Sequence, residues 1–197
     1  FRVNLQAEVD ALRGAGQFRE LCGDGAELRT NQERCRGRPH EDEYLAVLNK
    51  PAGIVTHPTH GHLDDSLLTL LSDSTLHPVM RLDRETSGII VIAKNGYVHS
   101  SMIASKIKKK YIAIVYGKFD PPCGEINQPI KRRPNSIMIR EVTTDDDPEG
   151  HPSQTFYKTI KYYAKENISL VEFILGTGRC HQIRVHSMSN GHPLVSD

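Results

Sequence analysis

Arg81-Leu82-Asp83-Arg84-Glu85-Thr86-Ser87-Gly88 sets one carboxylate, Asp83, between two arginines and ahead of a Thr-Ser-Gly turn. Such a carboxylate has two readings. It is either part of a surface turn of exposed ion pairs, or an acid kept ionised by a guanidinium and presented at a strand edge for attack or proton transfer. A second stretch, Gly176-Thr177-Gly178-Arg179-Cys180-His181-Gln182-Ile183-Arg184-Val185-His186, carries its own polar set. On a helix His181, Arg184, Val185 and Met188 share one face, so Arg184 can aim inward at a partner carboxylate. The plainer reading is a solvated helix-end arginine with histidines that cap or pack. Arg179 and Gln182 are placed to meet a phosphate or a neighbouring loop.

Two basic runs stand apart from these stretches, Lys106, Lys108, Lys109 and Lys110, and then Lys131-Arg132-Arg133. They suit phosphate contact, which makes binding salt-dependent, or they are solvated faces. Gly176-Thr177-Gly178 lacks the third glycine and the lysine of a phosphate-cradling loop. His57-Pro58-Thr59-His60-Gly61-His62 has no cysteine partner, and its Pro and Gly distort it, so no metal is expected there.

The elements that must position these groups read mostly as strands. Tyr44–Leu48 is a buried strand stopped by Lys50-Pro51-Ala52-Gly53. Ser66 N-caps a short helix through Leu67, Leu68, Leu70 and Leu71. Ile89–Ala93 is a β-branched apolar run that favours a strand. Residues 96–107 pattern as an amphipathic helix with Val98, Met102 and Ile103 inward. Tyr111–Tyr116 is a strand closed by Gly117. Ile137 and Ile139 alternate with polar neighbours, as do Thr155, Tyr157 and Thr159 against Phe156 and Ile160. Residues 168–175 form a last apolar strand, and a helix over 180–189 ends at Asn190-Gly191. Asp145–Gly150 reads as a solvated hairpin end. Many strands, few helices and no regular strand–helix alternation predict an α+β fold with a mixed, mostly antiparallel sheet.

The composition divides the chain near residue 43. Residues 1–43 hold seven arginines, no lysine and nine acids, while all sixteen isoleucines lie at or beyond Ile54. Residues 1–43 are therefore read as an extension, with a helix at 5–13 where Leu5, Val9 and Leu12 share a face, and 44–197 as the main domain. No stretch reaches the ~18 apolar residues of a membrane span. The four cysteines, Cys22, Cys35, Cys123 and Cys180, are widely scattered. No pair has zinc-ribbon spacing, and reduced thiols in a cytoplasm are expected.

From residue 44 to 197 the chain resembles the RluA-type family of pseudouridine synthases. The central signature of that family is His-Arg-Leu-Asp-Arg, an acidic or similar residue, then Thr-Ser-Gly and an apolar strand; here Met80 replaces the His and the rest matches. The late signature, Gly-Arg-Thr-His-Gln-Ile-Arg-Val-His and then Gly-His-Pro, is matched except for Cys180 in place of Thr. Asn49–Gly53 and Lys110–Ala113 look like two further landmarks, and Gln128-Pro129-Ile130 and Gly150–Tyr157 fit the middle.

The resemblance implies an RNA uridine isomerase without metal or cofactor. Asp83 would be the catalytic carboxylate, Arg184 the cation paired with it, and Tyr111 the ring packed under a flipped uracil. Whether Asp83 attacks C1′, adds to the base or takes a sugar proton stays open. Arg81 would enter the RNA stack where the base leaves; Arg84, Thr86 and Gly88 shape the turn, with Arg179, His181 and Gln182 in support. Lys108, Lys109, Lys131, Arg132 and Arg133 would contact the RNA backbone. The substrate expected is large-subunit ribosomal RNA, with tRNA second, and the protein a cytoplasmic monomer lacking the C-terminal part of its domain. A non-catalytic RNA-binding protein on the same domain is the alternative. A glycoside hydrolase needs two acids flanking the bond, and Asp83 has no acidic partner in its signature.

Overall fold

The computed structural model describes residues 40–59, 61–71, 75–105 and 107–195. The helix expected over 5–13, Cys22 and Cys35, and the residues His60 and Lys106 lie outside them. The chain divides into two units, the first ending at His99 and the second beginning at Ser100. All strand pairs among the described residues are antiparallel, so the fold is α+β as expected.

In the first unit β1 (His40–Glu41), β2 (Leu45–Lys50), β3 (His77–Pro78) and β4 (Gly88–Ala93) form a sheet in the order β1-β2-β4-β3. Alternation selects the buried face. Ala46 and Leu48 on β2 stand opposite Ile92 and Ile90 on β4, and all four are buried. β2 runs two residues past its expected stop at Leu48, because Asn49 and Lys50 still pair with Ile89 and Gly88. Pro51, which has no N–H to donate, ends it. Ser66 caps α1 (Leu67–Leu71) as the sequence suggests, its Oγ accepting the Thr69 N–H at 3.2 Å. The next helix, α2 (Gly96–Ala104), is shorter than the expected 96–107, and Ile103 faces out at 54 % exposure rather than inward. Ser105 closes it early, since both its N–H and its hydroxyl donate back to the Met102 carbonyl.

The second unit carries β5 (Lys109–Tyr116), β6 (Cys123–Asn127), the hairpin of β7 (Ile130–Arg132) and β8 (Arg140–Val142), β9 (Gln154–Tyr163), β10 (Ile168–Leu175) and α3 (Gln182–Ser189). Its main sheet has the order β5-β10-β9-β6. Val115, Phe119, Val171 and Phe173 form its buried core, with Tyr111, Ala113, Tyr157 and Ile183 packed against them. Tyr111, Ala113 and Val115 lie on one face of β5 by period two, and Phe173 stands opposite Tyr111.

Three expectations need correction here. Ile137 and Ile139 are not in a strand; they sit in the β7–β8 connection, 82 % and 48 % exposed. The Arg140 guanidinium folds back on the carbonyls of Ile137, Met138 and Ile139, and the Ile139 N–H turns to the Ser136 hydroxyl at 3.0 Å. The acidic stretch is more than a solvated end: Asp147 accepts from Lys131 Nζ at 2.7 Å and from the Thr143 hydroxyl, clasping the foot of the hairpin. Those donors hold its carboxyl far below the usual carboxylate range. Finally, α3 starts at Gln182 and not at 180, because His181 adopts a left-handed conformation (φ 55°) at its N-cap.

Candidate functional site

In the first unit, the loop between β3 and β4 presents Asp83 half-buried, with Leu82 buried on one side and Arg84 exposed on the other. Each end of this short segment is tied to the loop after β2. The Thr56 hydroxyl donates to the Leu82 carbonyl at 2.9 Å and accepts the Leu82 N–H at 3.2 Å. The Arg84 carbonyl accepts from Gly53 N–H at 2.8 Å and from Lys50 Nζ at 3.1 Å. Arg84 Nε returns a bond to the Gly53 carbonyl at 3.3 Å. Asp83 thus lies between two anchored residues, and the Thr86 N–H closes the turn on its carbonyl at 3.1 Å. Gly88 enters β4 at φ +127°, a conformation essentially restricted to glycine.

Lys50 is the unexpected member of this set. Its side chain is fully buried, and its ammonium also donates to the carbonyls of Pro51 (2.9 Å) and Ile54 (2.7 Å). A buried cation is tolerated when its donors are satisfied, and three backbone carbonyls converge on this one.

In the second unit, α3 turns two faces to two tasks. His181, Arg184, Val185 and Met188 line one cavity of about 430 Å³ together with Met138 and Ile139 of the hairpin loop, confirming that they share a face. The opposite face carries Gln182 and His186, both buried against β9. Gln182 meets the neighbouring loop and β9. Its Oε1 accepts from Arg179 N–H at 2.9 Å and from the Thr177 hydroxyl at 2.8 Å, and its Nε2 donates to Gln154 O at 2.8 Å. Arg179 Nε donates to the Pro152 carbonyl at 3.2 Å.

Asp83 therefore belongs to the first unit, and Tyr111 and Arg184 to the second, with Tyr111 on the core face of β5. Arg81 and Lys108 are exposed, and Lys109 is half-buried at the start of β5. Of the second basic run, Arg132 is exposed, Lys131 holds Asp147, and Arg133 Nε donates to Glu141 at 3.0 Å. Sequence reasoning passed over Lys50, Thr155 and His186 as site supports. For Lys50 a signal existed: it continues the parity of Ala46 and Leu48, the buried face of β2. For Thr155 and His186 there was less, since their meeting is tertiary.

Comparison with known proteins adds to this geometry. The sequence profile described as RNA pseudouridylate synthase matches residues 44–189. The Bacillus subtilis protein named Uncharacterized RNA pseudouridine synthase YhcT is 39 % identical over 169 residues, covering 80 % of this chain and 55 % of that protein. Ribosomal large subunit pseudouridine synthase D of Zymomonas mobilis is 36 % identical over 173 residues, covering 80 % and 53 %. The human RNA Pseudouridylate Synthase Domain Containing 4 structure aligns with a TM-score of 0.69 at 25 % identity, over 82 % of this chain and 67 % of that one. The chain spans about half the length of the relatives it matches in sequence. Among the described residues no helix is long and apolar enough to cross a membrane.

Proposed function

Because the chain belongs to the RNA pseudouridylate synthase family, we propose that it isomerises uridine to pseudouridine in RNA. The N1–C1′ glycosidic bond breaks, the uracil turns, C5 bonds to C1′, and the C5 proton leaves as N1 takes one up. Reaching the base requires it to leave the stack, which costs a few kcal/mol. Asp83 is the catalytic carboxylate, Arg184 the cation that acts with it, and Tyr111 the ring that packs on the flipped uracil and helps move the C5 proton. Arg81 fills the place the base vacates. Exposed Arg132 and Lys108 contact phosphate, and the protein works in the cytoplasm.

One observation supports this reading above the others. The carboxylate that the family signature singles out sits on a segment whose two neighbours are both hydrogen-bonded to the loop after β2. Such fixing is what a reacting group needs, since misplacement by about 1 Å can cost 10²-fold in rate. The preferred substrate is large-subunit ribosomal RNA, a choice supported by the name of the Zymomonas mobilis relative.

The test incubates unmodified large-subunit ribosomal RNA and unmodified tRNA separately with the full chain and maps pseudouridine chemically. Product in ribosomal RNA at a discrete site supports the proposal. Product only in tRNA overturns the substrate choice. Binding without product in either overturns the activity and leaves an RNA-binding protein.

A further inference from the structure

Gln182 and His186 stand one helical turn apart on α3 and both reach a single oxygen, Thr155 Oγ1, each at 2.9 Å. All three residues are buried. The roles of the atoms follow from their partners. His186 Nε2 faces the Gln128 carbonyl at 2.9 Å, and a carbonyl only accepts, so Nε2 carries the proton. Nδ1 is then an acceptor and receives the Thr155 hydroxyl proton. Thr155 Oγ1 in turn accepts from Gln182 Nε2, whose other acceptor is the Gln154 carbonyl. The Gln182 amide cannot be turned over, because its Oε1 faces the Arg179 N–H. The chain of bonds therefore runs in one direction, with each buried donor and acceptor in it used.

This network joins three pieces. Thr155 belongs to β9 and Gln128 lies at the root of the β7–β8 hairpin, while Gln182 and His186 belong to α3. Two anchors one turn apart fix both the rotation of a helix about its axis and its position along it; a single anchor leaves rotation free. Arg184 lies between them in sequence and on the other side of α3, facing the cavity.

We infer that the Gln182–Thr155–His186 network is a positioning device that sets where α3 holds the Arg184 guanidinium. The inference rests on the role proposed for Arg184. Thr155, Gln182 and His186 touch no reacting atom; they act through that side chain.

The experiment compares Thr155→Val, which keeps the side-chain shape and removes the shared oxygen, with Thr155→Ser, which keeps the oxygen. Pseudouridine formation on unmodified ribosomal RNA is measured with RNA affinity and thermal unfolding. Thr155→Val is expected to lower kcat by about ten- to a hundredfold, with KM within about threefold of the native chain. Thr155→Ser is expected to restore kcat to within about threefold. Native kcat in a folded Thr155→Val chain would overturn the inference, as would equal losses in the two variants. Should Thr155→Val fail to fold, His186→Phe, which keeps a ring and removes both nitrogens, is read in the same way. If the native chain makes no pseudouridine, the activity reading fails, and the NMR resonance of the Arg184 Nε–H still decides. It must move in Thr155→Val and stay in Thr155→Ser; an unmoved resonance in both overturns the positioning role.

Discussion

The ammonium of Lys50 donates to the carbonyl of Arg84 at 3.1 Å, across 34 residues of chain and from a side chain with no exposed surface. The bond links the end of β2 to the residue after Asp83. Lys50→Met keeps the length and removes the donors, leaving the carbonyls of Pro51, Ile54 and Arg84 without this partner. Each such loss costs about 1–3 kcal/mol, so a destabilisation of ~3 kcal/mol or more is expected in urea unfolding. A change below about 1 kcal/mol would show that the loop is held by other means.

Gly88 tests the turn by conformation alone. A Cβ there meets nothing within 4 Å, yet its φ of +127° disfavours any L side chain. Gly88→Ala should destabilise by about 1–3 kcal/mol and lower activity through the Asp83 loop. Gly96→Ala, also in open space but in helical backbone, is the control and should be neutral or stabilising. Equal effects would remove the conformational explanation.

The parts of the fold that could be read from sequence are those set by local pattern. Ile89–Ala93 is too β-branched to be anything but a strand, and the Ser66 cap needs only its own turn. The shared face of His181, Arg184, Val185 and Met188 follows from helical spacing and holds in the cavity they line. What failed was set by contacts distant in sequence or by side chains folding back. Lys50 draws its acceptors from two loops, and His186 meets Thr155 across 31 residues. Alternation at Ile137 and Ile139 imitates a strand, but the Arg140 guanidinium folds back on their carbonyls and the Ile139 N–H goes to the Ser136 hydroxyl. Asp147 reads in sequence as one of several solvated acids, but Lys131 pairs with it.

Burial pushes the His186 imidazole below its ordinary value of 6.5. Above that pH both folded and unfolded chains are neutral at this residue and it contributes no slope. As pH falls below about 6.5 the unfolded chain takes up the proton first, so stability drops until the lower folded value is reached. Unfolding midpoints measured from pH 8 to pH 5 should show this loss, and His186→Phe should show a shallower decline over the same range. An unchanged slope would mean that the folded and unfolded chains take up the His186 proton alike.

The basic hairpin separates phosphate contact from structural pairing. Arg132 is exposed, whereas Lys131 is engaged with Asp147 at 2.7 Å. Arg132→Ala should weaken RNA binding and reduce the slope of log affinity against log salt by about 1. Lys131→Ala should leave that slope nearly unchanged while loosening the hairpin. A reversed order would assign the phosphate contact to Lys131.

The central claim is that the carboxylate at position 83 makes the product. The most direct measurement counts pseudouridines formed per chain in a single turnover, with the native protein and Asp83→Asn at matched, saturating concentrations on one unmodified ribosomal RNA. Product close to one per native chain and none above background for Asp83→Asn, with similar RNA affinity in the two, is the result predicted. Product in equal amounts from both proteins would contradict it.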